Sequence, residues 1–263
     1  MNYKTPPEIA ESAVTAAINK ASLPFLPMLL LGFLAGAYIA MGGCFMIVAT
    51  QDAARYAGIG ISKLLSGFVF SLGLFLVVAA GGELFTGNCL MPIGLLSRKI
   101  SWRGMLRNLS AVYAANFAGA LFFAWLIFQS GVLTQSCAEK ALAIAAAKVR
   151  IPLPQMIVRG ILCNWFVGLA VWLTFGALDM SGKFVALLMP ITAFVAMGFE
   201  HCVANMFFLP LGLMIQNGTA APELTAAAAL GNIIPVTLGN IIGAALLVGI
   251  IYFFIYREGL AKG

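Results

Sequence analysis

Apolar residues run along the chain in six long blocks, at about 27–50, 64–91, 104–130, 154–178, 184–215 and 231–256. A helix crosses a hydrocarbon core of about 30 Å with roughly 20 apolar residues, so each block predicts one membrane span. The second and fifth blocks are overlong, and polar residues interrupt them at GGELFTGN (81–88) and GFEHCVANM (198–206). Ahead of the first block stands TPPE (5–8), with Thr5 as N-cap, Pro6 at the first helical position and Glu8 at the third. That capping-box pattern predicts a helix running to about Lys20. Ile9, Ala13, Ala16, Ala17 and Ile18 lie on one side of it. It is too short and too polar to span, so residues 1–23 read as an interfacial helix ahead of a six-helix domain over 24–263.

The two interruptions align with each other. Gly81 matches Gly198, Glu83 matches Glu200, and Asn88 matches Asn205. The following spans align as well: Asn108 with Asn232, Val112 with Val236, Asn116 with Asn240, and Gly119-Ala120 with Gly243-Ala244. The halves at about 27–130 and 154–256 therefore read as a repeat. Three spans per copy is an odd number, so the second copy enters the bilayer from the opposite side. Inverted repeats of this kind build transport proteins, with the pathway where interrupted helices of the two halves meet. Non-helical backbone at that depth survives only where protein buries it or a cavity adjoins it.

Composition agrees with this all-α integral membrane reading. The chain is 62% hydrophobic and 9% charged, with a mean hydropathy of +1.01, far too apolar for the surface of a soluble domain. No cleavable signal peptide is expected, because the first apolar run reads as a full span. A net charge of +6 reflects basic residues that set topology, not nucleic-acid binding. With both termini in the cytoplasm, Arg55, Lys63, Lys140, Lys148, Arg150 and Arg159 fall outside. The other nine of the fifteen lysines and arginines, Lys262 among them, fall inside. The outward charges concentrate in the loop 131–153, which implies a local use for positive charge there. Cys44, Cys89, Cys137, Cys163 and Cys202 are scattered and form no metal or disulfide pattern, so neither a metal nor a cofactor is expected.

Glu83 and Glu200 could be a proton relay or a cation site. Their equivalence under the repeat favours a structural task, accepting hydrogen bonds from backbone N–H groups freed at each break, with Asn88 and Asn205 tying the same breaks. His201, the chain's only histidine, faces Leu84 across the repeat. An ionisable group that the repeat does not duplicate points to asymmetric chemistry in the pathway. Thr86 offers one hydroxyl, either at a constriction or as a helix-end cap. Leu84, Phe85, Phe70, Leu74 and Phe194 could form apolar gates or ordinary packing, and Asn164 is a further polar candidate.

These segments resemble the formate/nitrite transporters over nearly the whole chain: ELFTGN (83–88), CNWFVGLAVW (163–172), GFEHCVANMFFLPLG (198–212) and NIIPVTLGNIIGAALLVG (232–249). Within that family the hydrosulfide branch is the nearest in look. The resemblance implies an aquaporin-like six-helix protomer in the inner membrane, assembled as a homopentamer with a pore in each subunit. It implies passage of small monovalent anions of weak acids, such as formate, nitrite or hydrosulfide. His201 is then the central pore histidine, and Thr86 belongs to the loop interrupting the second helix, with Asn164 hydrogen-bonded near the histidine. Leu74, Leu84, Phe85 and Val167 correspond to a cytoplasmic constriction, Phe70 and Phe194 to a periplasmic one, and Lys148 to an anion-attracting lysine at the outer mouth. The Gly-Asn after LFT departs from formate channels that carry a small hydroxyl residue there, which leaves the substrate open. In such a chamber His201 could hydrogen-bond the anion, stabilise it as imidazolium, or donate a proton; a channel and a proton-coupled carrier both remain open. An aquaglyceroporin would show paired NPA motifs, an ammonium channel two histidines, and a membrane-embedded enzyme a cluster of acids, bases or metal ligands. None of these is present in the sequence.

Overall fold

The structure, a computed structural model, describes residues 3–216 and 221–260; Lys262, counted above among the inward charges, lies outside them. All regular elements among the described residues are helices, apart from one isolated β-bridge between Tyr3 and Ala177. Five are long and apolar enough to cross a membrane: α2 (Phe25–Ala49), α3 (Ala53–Leu76, extended by a π turn to Gly81), α6 (Trp102–Ser130), α8 (Leu153–Gly176) and α11 (Ala226–Ala244). The last runs on through a π turn into α12 (Ile251–Leu260). The sixth crossing is divided between α9 (Met180–Ala196) and α10 (Cys202–Ile215), each too short alone.

Both expected interruptions are present. After α3 the chain leaves helical geometry at 82–84 and resumes in α4 (Phe85–Asn88) and α5 (Pro92–Leu96). The second span begins earlier than the hydropathy pattern indicates. Residues 53–63 are helical but largely exposed, and Gly58 (φ +80) breaks their regularity. The loop 131–153 also differs from its sequence reading, because it contains a fifteen-residue helix, α7 (Gln135–Val149).

Helix α1 (Pro6–Ser22) buries Ile9, Ala10, Ala13, Val14 and Ala17 against α5, α6, α8 and α12. Ala16 is only partly covered and Ile18 is exposed, so the buried face is turned by about one residue from the expected one. The Glu8 carboxylate accepts from the Thr5 N–H (2.6 Å) and hydroxyl (2.7 Å). Its pKa is held below the ordinary glutamate value chiefly by the Thr5 hydroxyl and then by the Thr5 N–H.

The long helices approach closely where glycines remove side chains. A Cβ on Gly119 would stand 1.9 Å from the Phe33 carbonyl oxygen, and one on Gly243 2.3 Å from that of Ile161. These two contacts seat α6 on α2 and α11 on α8. Outward faces carry large exposed apolar residues, including Trp125, Leu126, Leu238 and Leu246, as lipid or a neighbouring subunit requires.

Candidate functional site

Each break starts at a glycine in the left-handed region, Gly81 (φ +84) and Gly198 (φ +73), where a side chain is disfavoured. The backbone then extends to Leu84 (φ −103, ψ 121) and His201 (φ −111, ψ 115), which hold the same N-cap position before α4 and α10. Backbone groups freed there find partners in two matching sets. Glu83 N–H donates to the Leu31 carbonyl (3.2 Å), and Glu200 N–H to that of Arg159 (3.3 Å). Asn116 Oδ1 accepts the Phe85 N–H (2.9 Å), while its amide donates to Gly32 and Glu83 carbonyls. Asn240 does the same for Cys202 N–H (2.8 Å) and the Gly160 and Glu200 carbonyls.

The two glutamates therefore do not receive the freed N–H groups that sequence reasoning assigned to them. Glu83 pairs with Lys20 of α1 (2.7 Å), and its second oxygen accepts from Asn88 (2.7 Å) and Asn108 (3.1 Å). Glu200 pairs with Lys148 of α7 (2.8 Å), its second oxygen accepting from Asn205 (2.7 Å). Asn108 and Asn232 also donate to the carbonyls of Lys20 and Lys148, closing each cluster. A buried carboxylate needs this full set of donors to stay charged away from water.

His201 is 3% exposed. Its Nδ1 accepts the Ala204 N–H (3.1 Å), capping α10, so the neutral ring carries its proton on Nε2. That nitrogen lies 2.9 Å from Thr86 Oγ1. Nε2–H donates and Thr86 accepts, which leaves the Thr86 hydroxyl proton without an acceptor among the described residues. The Asn164 amide donates to the Thr86 carbonyl (3.1 Å) and the Asn240 carbonyl (2.7 Å), and its buried Oδ1 has no partner there. Asn164 thus reaches the Thr86 backbone, not the imidazole.

Three cavities share walls around this pair. A central void of about 10 Å³, room for about one water-sized sphere, is bounded by His201, Phe70, Leu74, Leu84, Val167 and Phe194, with Ile39 and Ile191 behind. Phe70 and Phe194 meet edge to face at 6.0 Å, and Phe194 lies along the His201 ring at 6.1 Å. Leu74 and Leu84 also line a vestibule of about 360 Å³ containing Lys20, Glu83 and Lys183. Phe70, Phe194 and His201 also line one of about 320 Å³ containing Lys63, Lys140, Lys148 and Glu200. Phe85 lines none of the three; it packs edge to face on Tyr113 at 4.8 Å. Lys148, expected as a free anion attractor, has its ammonium on Glu200 and above the Phe208 ring. Lys140, counted from the sequence only among the outward charges of the loop 131–153, stands in the same vestibule beside Lys63. It donates to the Thr50 carbonyl and hydroxyl and has no carboxylate partner among the described residues. Desolvation lowers its pKa from the ordinary lysine value, partly offset by Asp52.

Six membrane crossings, two of them broken around a buried polar pair between two vestibules, define a membrane channel or transporter. A profile described as formate/nitrite transporter matches residues 7–254, and the chain belongs to that family. A probable formate transporter of Methanothermobacter thermautotrophicus is 42% identical over 98% of this chain and 98% of its own length. An uncharacterized transporter of Bacillus subtilis, YrhG, is 42% identical over 98% of this chain and 96% of its own. A solved pentameric formate channel with formate bound superposes with a TM-score of 0.79 at 34% identity, covering 89% of this chain and 98% of that one. The family is one of channels and transporters, not enzymes.

Proposed function

We propose that the chain conducts formate and related small monovalent anions, each subunit of a homopentamer carrying its own pore through two oppositely inserted halves. The reading rests on one observation: His201, hydrogen-bonded to Thr86, lines a void walled by aromatic and aliphatic side chains between two basic vestibules. Formate is favoured because relatives and a solved neighbour carry that name; nitrite and hydrosulfide share its size and charge. With α1 and both termini in the cytoplasm, Lys183 faces the inner vestibule, and Lys63 and Lys140 gather anions in the outer one.

A bare anion crossing either apolar constriction loses hydration worth several kcal/mol. At the centre, the Thr86 hydroxyl donates to the anion while His201 Nε2–H supports Thr86, so the charge gains a hydrogen-bond donor where water is scarce. Leu74, Leu84 and Val167 form the inner constriction, and Phe70 and Phe194 the outer. A proton-coupled carrier is the second reading, favoured by a void too small for an open pore. There, one proton taken from the solution on the entry side joins the anion at the centre, the neutral acid crosses, and acid and proton separate again on the far side.

Liposome uptake of formate, nitrite, hydrosulfide, lactate and chloride, measured between about pH 5 and 8, tests the proposal. His201→Asn keeps an N-cap side chain for α10 but removes the imidazole, and His201→Ala removes both. Formate uptake should fall at least tenfold in each variant, with an altered pH profile. An unchanged rate and profile in His201→Asn would overturn the central role of the histidine, and stoichiometric proton uptake with formate would select the carrier.

A further inference from the structure

Arg98, Lys99 and Arg257 line neither vestibule and not the central void. Arg98 and Lys99 stand on the turn between α5 and α6, and Arg257 stands near the end of α12, across a cavity of about 520 Å³. All three are exposed. No ion pair or side-chain hydrogen bond engages any of them among the described residues; Glu258 is the one carboxylate in the wall. Arg98 holds a left-handed backbone (φ +57), unusual for a residue with a side chain. The turn is tied by Arg98 N–H to the Leu95 carbonyl and Lys99 N–H to that of Gly94. The guanidinium is thereby presented on a fixed turn, not a loose loop.

The floor of the same cavity is apolar, made by Leu96 and Phe253. Phe253 and the exposed Phe254 precede Arg257 by four and three residues, so all three share one face of α12. Trp102, which opens α6, is 58% exposed, as expected of a side chain at a membrane–water boundary. Cations stacked above an apolar wall, at the end of a span, complement a lipid with a negative headgroup and hydrocarbon tails.

We propose that Arg98, Lys99 and Arg257 bind the phosphate of an anionic phospholipid in this cavity, with an acyl chain lying on Leu96 and Phe253.

Native mass spectrometry of the detergent-purified full chain, titrated with phosphatidylglycerol or phosphatidylcholine, tests this. Arg98→Gly removes the guanidinium while suiting the left-handed turn, Arg257→Gln acts on an exposed helix face, and Arg103→Gln is the control outside the cavity. Phosphatidylglycerol should be retained in preference to phosphatidylcholine. Its apparent affinity should fall about fivefold for each of the two cavity cations removed, the factor matching about 1 kcal/mol per basic residue, and stay unchanged in the control. Equal retention of both lipids, or equal phosphatidylglycerol affinity in Arg98→Gly, Arg257→Gln and the native chain, would overturn the site. Displacement of phosphatidylglycerol by an equal concentration of glycerol 3-phosphate would overturn the lipid assignment in favour of a soluble phosphate.

Discussion

A lysine 2.8 Å from a buried carboxylate is a different object from a lysine waiting for an anion. Lys148 and Glu200, with side chains only 13% and 5% exposed, form a pair whose rupture leaves one charge buried alone, at a cost of about 3–5 kcal/mol. Lys148→Met should therefore lower thermal stability strongly, and Lys148→Met/Glu200→Gln should restore most of the loss. A thermal-unfolding cycle on the four proteins in detergent measures this. If the double variant is as unstable as the single one, the pair is not the reason Lys148 is there. Loss of Lys140, bonded to Thr50 and to no carboxylate among the described residues, should lower uptake and cost less stability than loss of Lys148, since no buried charge is left alone. His201 and the two glutamates stood out in the sequence because ionisable groups in apolar runs are costly and few. That Phe85, read there as a constriction residue, turns to Tyr113 and that Lys140 opens onto a vestibule was not legible, because side-chain direction and solvent access both depend on packing. LFT places three residues in a row, yet Leu84 faces the void, Phe85 the Tyr113 ring and Thr86 the imidazole.

Among the elements, α1 and α7 are the pair hidden from hydropathy. Each carries in its last turn a lysine that reaches a glutamate at a break, and each leads into a span through a proline, in KASLP (20–24) and KVRIP (148–152). That short match extends the sequence alignment of the two halves to the surface helices. It is weak as a pattern because amphipathic helices share little but their polarity. The six spans were readable from length and apolarity alone, whereas the asparagines that close the breaks, Asn116 and Asn240, lie far along the chain from the backbone they serve. The anchoring of α1 has a pH signature. With the Glu8 pKa depressed in the fold, its contribution is complete above the ordinary glutamate range and disappears as pH falls through the lowered value. Hydrogen-exchange protection at the first turn of α1, taken relative to the intrinsic exchange rate, should weaken on acidification in the native chain and be pH-insensitive in Glu8→Gln, whose neutral amide does not titrate. Identical profiles would remove the cap from the account.

At the scale of the molecule, the two vestibules are separated by a void with room for about one water-sized sphere. Formate cannot pass through that space unless the surrounding side chains move. Which wall gives way decides how selective the protein is. Leu84 comes from a broken segment held at both ends by hydrogen bonds, while Phe194 sits on α9 with its ring against Phe70 and the imidazole. Phe194→Ala removes the larger group and opens the void to the vestibule of Lys140, the outer one on the proposed orientation; Leu84→Ala opens it to that of Lys183, the inner one. On the proposed reading the two constrictions act in series, so removing either leaves the other as the barrier to a bare anion and formate flux should rise only severalfold. Discrimination should respond differently. With Phe194 gone the chamber beside His201 accepts a larger carboxylate, and lactate uptake relative to formate should rise by about tenfold or more. Chloride should remain excluded by the intact inner wall. Only Phe194→Ala/Leu84→Ala together should admit chloride. Parallel lactate, formate and chloride uptake into liposomes resolves the three variants. Chloride entry through Phe194→Ala alone would mean that Leu74, Leu84 and Val167 do not form a second barrier.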